Sequence, residues 1–159
     1  MLLDPVIDLN CCTFELISEL RLPLVNRFYS DCNYRVKCGR FERVHTLTIG
    51  GKIIAAARLI PQRSAHFLLR NLCVEPSLRN KGVASFLLRA TLQSLGAANC
   101  YCYALPHLQN FYLSLQFKHF SPEQVPGDIA EMYHRHRERK RGWVLMGYLN
   151  SQDLKQSRS

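Results

Sequence analysis

Long apolar runs are missing from this 159-residue chain. None approaches the ~20 residues of a membrane-spanning helix, so no such span and no membrane partner are expected. The opening Met1-Leu-Leu-Asp-Pro-Val-Ile-Asp8 puts acids where a signal peptide carries a positive region, which argues against secretion. C-x-x-C is also absent. The seven cysteines are an odd set with one adjacent pair, Cys11-Cys12, and do not look like a disulfide framework; they fit a reducing, cytoplasmic setting. Cys100 and Cys102 would share one strand face, but no second Cys/His pair stands near them at zinc-ligand spacing. No metal is therefore expected, and the two read as small buried residues. Neither the Walker loop G-x-x-x-x-G-K-[ST] nor the dinucleotide G-x-G-x-x-G occurs. Internal repeats and low-complexity linkers are missing too.

Acids are scarce, 12 against 21 Lys+Arg, for a net charge of +9. The scarcity is local. Residues 61–120 carry six bases and one acid, Glu75, whereas the flanking thirds are each +2. Such an excess points to an anionic ligand: nucleic acid, acidic lipid or a phosphorylated cofactor. Composition alone does not choose among them; against nucleic acid, no RNP-like aromatic motif or zinc-finger spacing is present. The hydrophobic share, 47%, suits one globular core. The length suits a single domain, taken as 1–150 with a polar tail at 151–159.

Leu16, Ile17, Leu20, Leu24, Val25 and Phe28 recur at helical spacing around Pro23, which predicts helices at about 13–21 and 23–32. Arg43–Ile49 and 52–60 flank Gly50-Gly51 as a β-hairpin, and 66–74 is a third strand closed by Pro76. Residues 82–95 are helical, with Gly96 as C-cap. Then come a strand at 99–105, a helix at 108–115, strands at 117–120 and 143–149, and a charged helix at 128–141 between those two. The fold class is α/β (α+β), in the order α-α-β-β-β-α-β-α-β-α-β around a central sheet.

The stretch richest in chemistry joins the third strand to the next helix: Val74-Glu-Pro76, then Arg79-Asn-Lys-Gly82-Val-Ala84. A helix N-terminus offers unpaired N–H groups and partial positive charge to a phosphate. Gly82 allows close approach, and Arg79 and Lys81 add charge. Taken alone, this turn is equally an ordinary capped strand–helix connection.

These residues closely resemble the signature of the GNAT superfamily of acyl-CoA-dependent N-acyltransferases: V-x-P on the fourth strand, then [RQ]-x-x-G-x-[GA]. The resemblance implies a mostly antiparallel sheet of six to seven strands flanked by helices, with acetyl-CoA as acyl donor. It implies that residues 79–84 (Arg79, Asn80, Lys81, Gly82, Val83 and Ala84) hold the coenzyme A pyrophosphate. Backbone N–H groups of Leu72, Cys73 and Val74, at a bulge, would then face the thioester oxygen. Cys73 also invites an acyl-enzyme reading, which its apolar neighbours disfavour.

A second matching stretch is Asn110-Phe-Tyr112-Leu-Ser-Leu-Gln116-Phe117. By resemblance, Tyr112 is the acid that protonates the leaving sulfur; otherwise it is a half-buried helix aromatic. Gln116 stands where the family usually has Gly, and Leu105 and Leu108 where it has Asn and Ala. Asn110 is a candidate for the pantetheine arm, although out of register. The resemblance does not name the general base. Glu75 and His107 are both candidates, each also readable as an ordinary loop or strand-end residue.

The function implied is transfer of an acetyl group to a primary amine, borne by a small molecule or peptide, by direct attack in a ternary complex. Homodimers are common in the family. A non-catalytic acyl-CoA-binding module is the alternative, and a nucleic-acid-binding protein the third reading. The basic helix at 128–141 reads as a solvated face with a Glu131–Arg135 pair, or as a lid that prefers an acidic or phosphorylated acceptor.

Overall fold

A computed structural model describes residues 7–139 and 142–150. The elements run β1 (Thr13–Leu16), α1 (Leu22–Asp31), β2 (Arg43–Ile49), β3 (Lys52–Pro61), β4 (Phe67–Val74), α2 (Val83–Gln93), β5 (Cys100–Ala104), α3 (Gln109–Ser114), β6 (Lys118–His119), α4 (Gly127–Glu138) and β7 (Val144–Tyr148). Seven strands form one sheet in the order β1-β2-β3-β4-β5-β7-β6. The pairs β1–β2, β2–β3, β5–β7 and β6–β7 are antiparallel, and β4–β5 is parallel. This is the mostly antiparallel sheet that the resemblance implied.

The chain departs from expectation first at its N-terminal side. Residues 13–21 are not a helix: Thr13–Leu16 is an edge strand and Glu19–Arg21 a short 3-10 turn. The apolar residues there recur at helical spacing but have no core to cover on one side. Leu20 is 93% exposed and Leu16 55%, while Ile17 is buried. The first element of the expected order is thus β, and α1 begins only where Pro23 occupies its first turn. The strand expected at 117–120 shrinks to Lys118–His119. Helix α2 ends at Gln93, so Gly96 (φ +64°) closes the turn after it rather than capping it. The charged helix is described as far as Glu138; Lys140 and Arg141 lie outside the described residues, as does the tail from 151.

The chain forms two compact units. One holds the residues up to Leu59 together with Arg70–Thr91; the other holds Ile60–Leu69 and the chain from Leu92. In the first, Val25, Phe28 and Tyr29 of α1 pack with Ile17, Val44, Ala56 and Cys73. In the second, Leu68, Tyr101, Leu145 and the fully buried Ile129 form the core, with Met132 and Tyr133 of α4 against it. Helix α4 is thus a packed element. Arg135 and Glu131 pair at 2.6 Å on its exposed side, one turn apart.

Candidate functional site

In the first unit, β4 does not run smoothly. Asn71 has φ +53° in mid-strand, a left-handed residue of the kind that marks a β-bulge. It is held from two sides. The buried Tyr29 hydroxyl donates to its carbonyl at 2.7 Å, and Arg58 Nη1 donates to its Oδ1 at 2.7 Å. Arg58 Nε in turn donates to Glu42 Oε2 at 2.8 Å, and the two side chains are only 12% and 14% exposed. Leu72, Cys73 and Val74 follow Asn71 directly. Asn71, Arg58, Tyr29 and Glu42 were not singled out from sequence, yet an Asn inside an apolar strand run was a usable signal, because Asn tolerates left-handed backbone.

Cys73 is buried, and burial pushes its thiol up to about 12, with a hydrogen bond involving Cys32 acting the same way. A thiol that hard to ionise is a poor nucleophile, which disfavours an acyl-enzyme.

Past Val74 the chain makes a 3-10 turn over Pro76–Leu78. Glu75 heads that turn: its N–H donates to the Ile54 carbonyl at 2.8 Å, and its Oε2 accepts from Ser77 Oγ. Arg79 folds back, donating Nε to the Val74 carbonyl at 3.1 Å. Asn80 (φ +61°) and Gly82 (φ +79°) are both left-handed. A Cβ on Gly82 would meet nothing nearer than Leu9 Cδ1 at 4.0 Å, so backbone conformation, not crowding, favours glycine there. Phe86 N–H donates to the Gly82 carbonyl at 3.1 Å, the first bond of α2. The N–H groups of Val83, Ala84 and Ser85 thus precede the helical ladder and have no acceptor within it. Together with Arg79 and Lys81, this turn suits a pyrophosphate.

Glu75 also lines a cavity of about 510 Å³. The 3-10 turn before α1 contributes Arg21, α1 contributes Arg27 and Asp31, and β3 contributes Lys52 and Ile53 to its walls.

In the second unit, Tyr112 lies in α3, 8% exposed, with its ring between Phe111 (centroids 5.1 Å) and Phe117 (5.2 Å). Its carbonyl accepts from the N–H groups of Leu115 and Phe117 at 3.0 and 3.1 Å. Gln116 has φ +69°. The turn therefore requires the left-handed conformation that a glycine would supply. Asn110 and His107 are exposed, the latter in the 3-10 turn Pro106–Leu108. Among the described residues, no group of three or more His, Cys, Asp or Glu could hold a metal ion. No helix among them is long and apolar enough to cross a membrane.

The acetyltransferase (GNAT) domain family matches residues 40–119. No curated protein matches in sequence. Among solved structures, the Neisseria gonorrhoeae N-acetylglutamate synthase, complexed with coenzyme A and N-acetyl-glutamate, superposes with TM-score 0.66 at 14% identity, covering 87% of this chain. This chain spans only 35% of that protein. The Escherichia coli ribosomal-protein-S18-alanine N-acetyltransferase gives TM-score 0.63 at 17% identity, covering 87% of this chain and 93% of its own. An Arabidopsis thaliana protein in complex with the bisubstrate analogue CoA-Ac-MVNAL gives 0.58 at 13%, covering 88% and 99%. At these identities the likeness shows the fold.

Proposed function

The chain belongs to the GNAT acetyltransferase family, and from that premise we propose that it is an acetyl-CoA-dependent N-acetyltransferase acting on a primary amine in a ternary complex. The observation that carries this reading is the turn from Val74 to Ala84, where left-handed Asn80 and Gly82 open α2 with N–H groups that precede its hydrogen-bond ladder, beside Arg79 and Lys81. Those residues hold the pyrophosphate. When bound, acetyl-CoA supplies a thioester whose carbonyl carbon accepts the amine nitrogen as the carbon–sulfur bond breaks.

The chain's own residues handle charge and protons. Backbone N–H groups of Leu72–Val74, next to left-handed Asn71, stabilise negative charge on the carbonyl oxygen. An ammonium acceptor sheds two protons. The first must leave before attack, since an alkylammonium has pKa near ~10.4. Glu75 takes that proton; it heads the turn after β4 and faces a cavity able to admit an amine, which favours it over the exposed His107. The second proton balances the one that Tyr112 Oη gives to the departing sulfur. Asn110 is kept as a contact to the pantetheine arm. The domain spans 1–150 and works in the cytoplasm, without a metal.

Isothermal titration with acetyl-CoA, paired with a thiol-release assay over an amine panel, tests the reading. Binding and amine-dependent thiol release are expected. Tyr112→Phe should keep the affinity and lose about 10²–10⁴-fold in turnover, the usual contribution of a general acid. Absence of binding defeats the proposal. Binding without release on any amine favours the acyl-CoA-binding module instead.

A further inference from the structure

The cavity beside Glu75 has an unusual charge arrangement. Five charged side chains line it, and they are not equivalent. Arg21 is committed elsewhere, its Nη1 2.9 Å from Glu15 Oε2. That leaves Arg27 and Lys52 as cations and Asp31 and Glu75 as anions. Arg27 and Asp31 lie one turn apart on α1, yet they make no ion pair with each other, and among the described residues no partner is seen for Lys52. Between the charges lies apolar surface from Leu24, Phe28 and Ile53. The volume, about 510 Å³, falls within the ~300–1,000 Å³ usual for small-molecule sites.

Two uncommitted cations and two carboxylates around an apolar floor are complementary to a ligand that carries both charges on an apolar body. Resting on the transferase reading, we propose that this cavity binds the acceptor, and that the acceptor is zwitterionic: an amine directed to Glu75 and Asp31, with a carboxylate held by Arg27 and Lys52. The chemistry selects against neutral-bodied amines. Such an amine would leave both cations without an anion and forgo the charge-assisted hydrogen bonds that a carboxylate would make. Polyamines would set a second positive charge against Arg27 and Lys52. A free apolar amino acid presents the required groups, and so does a peptide N-terminus whose next residue is acidic.

The test reads binding rather than turnover. The full chain, free of cofactor, is titrated by calorimetry with leucine, with leucinamide (which keeps the amine and lacks the carboxylate), and with the dipeptide amide leucyl-glutamyl-amide. Leucine or the acidic dipeptide should bind roughly tenfold or more tighter than leucinamide, the worth of one charge-assisted hydrogen bond. The winner of those two identifies the source of the carboxylate. The double variant Arg27→Gln/Lys52→Gln, on exposed side chains, should fold normally and erase the preference. Leucinamide binding as well as the other two, no binding by any of the three, or a preference that survives the double variant would each overturn the proposal. Its failure is separable from that of the enzymatic reading. Preferential binding of the carboxylate ligand with no thiol release retires the transferase and keeps the cavity's selectivity. Thiol release with leucinamide as readily as with leucine does the reverse.

Discussion

Asn71 is a single residue whose conformation is imposed by others. Its φ of +53° costs a non-glycine residue about 1–2 kcal/mol, and the Tyr29 and Arg58 hydrogen bonds offset that cost. Tyr29→Phe removes one donor from a buried carbonyl. It should lower stability by about 1–3 kcal/mol, read as a shift of the urea midpoint at unchanged slope. Arg58→Met strands the nearly buried Glu42 carboxylate and should cost more, about 3–5 kcal/mol. Adding Glu42→Gln should return part of that loss, whereas strictly additive losses would deny the coupling. His45 supplies a pH signature. It is 3% exposed in β2 and stacks on Phe14 at 5.3 Å. Burial, reinforced by Arg43, pushes its imidazole down to about 4. The folded state thus resists a proton that the unfolded chain accepts near 6.5. This contribution is complete above pH 6.5 and is lost as pH falls through the window from 6.5 to 4, worth about 3 kcal/mol at most. His45→Phe should flatten the stability profile across that window; an unchanged slope would assign the acid sensitivity elsewhere.

At the scale of elements, close packing decides what each strand tolerates. Gly147 in β7 sits opposite Tyr101 of β5. A Cβ there would lie 2.7 Å from Tyr101 Cδ1 and 3.0 Å from Phe120 Cε2. Gly147→Ala should therefore destabilise by about 1–3 kcal/mol through overpacking, seen as a lowered melting temperature. Gln116→Gly runs the other way. It relieves a left-handed residue at φ +69° and should gain about 0.5–1 kcal/mol, the strain removed less the entropy of glycine. That position shows what the sequence carried openly: departure from a family pattern at Gln116 marked a real conformational demand. The hairpin around Gly50-Gly51, the strand ended by Pro76 and the α2 turn were legible because turn residues and apolar periodicity agreed there. Strand β1 was not legible. Leu16, Ile17 and Leu20 mimic a helix stripe, and only the sheet edge offered by β2 determines that Phe14 and Leu16 pair with Leu47 and His45. The Glu42–Arg58–Asn71 chain was hidden for a similar reason, since its members are 13 and 16 residues apart and meet only through the sheet.

The whole molecule keeps most of its thiols out of reach of solvent. All seven cysteines are free, yet five are buried, and only Cys11 is exposed and Cys12 half-exposed. Burial pushes Cys38 up to about 11 and Cys100 up to about 12, so these sulfurs lack both access and thiolate character. Even the accessible pair is restrained: Asp8 raises Cys11 through a hydrogen bond to its thiol, and burial raises Cys12. An aromatic disulfide reagent at pH 8 should count two thiols in the native protein, both reacting slowly, and seven once the chain is unfolded in guanidinium. The five hidden thiols then become a probe of ligand binding, because exposing them requires opening of the fold. If the turn from Arg79 to Ala84 binds acetyl-CoA, saturation at about 100 times Kd should stabilise the folded form by about 2.7 kcal/mol. Reaction of the buried set through global unfolding should then slow about 100-fold, while Cys11 remains as reactive as before. Equal slowing of all seven would mean that the ligand blocks the reagent rather than stabilising the fold. Unaltered rates at every thiol would mean that the positive charge of the middle third serves some other anion.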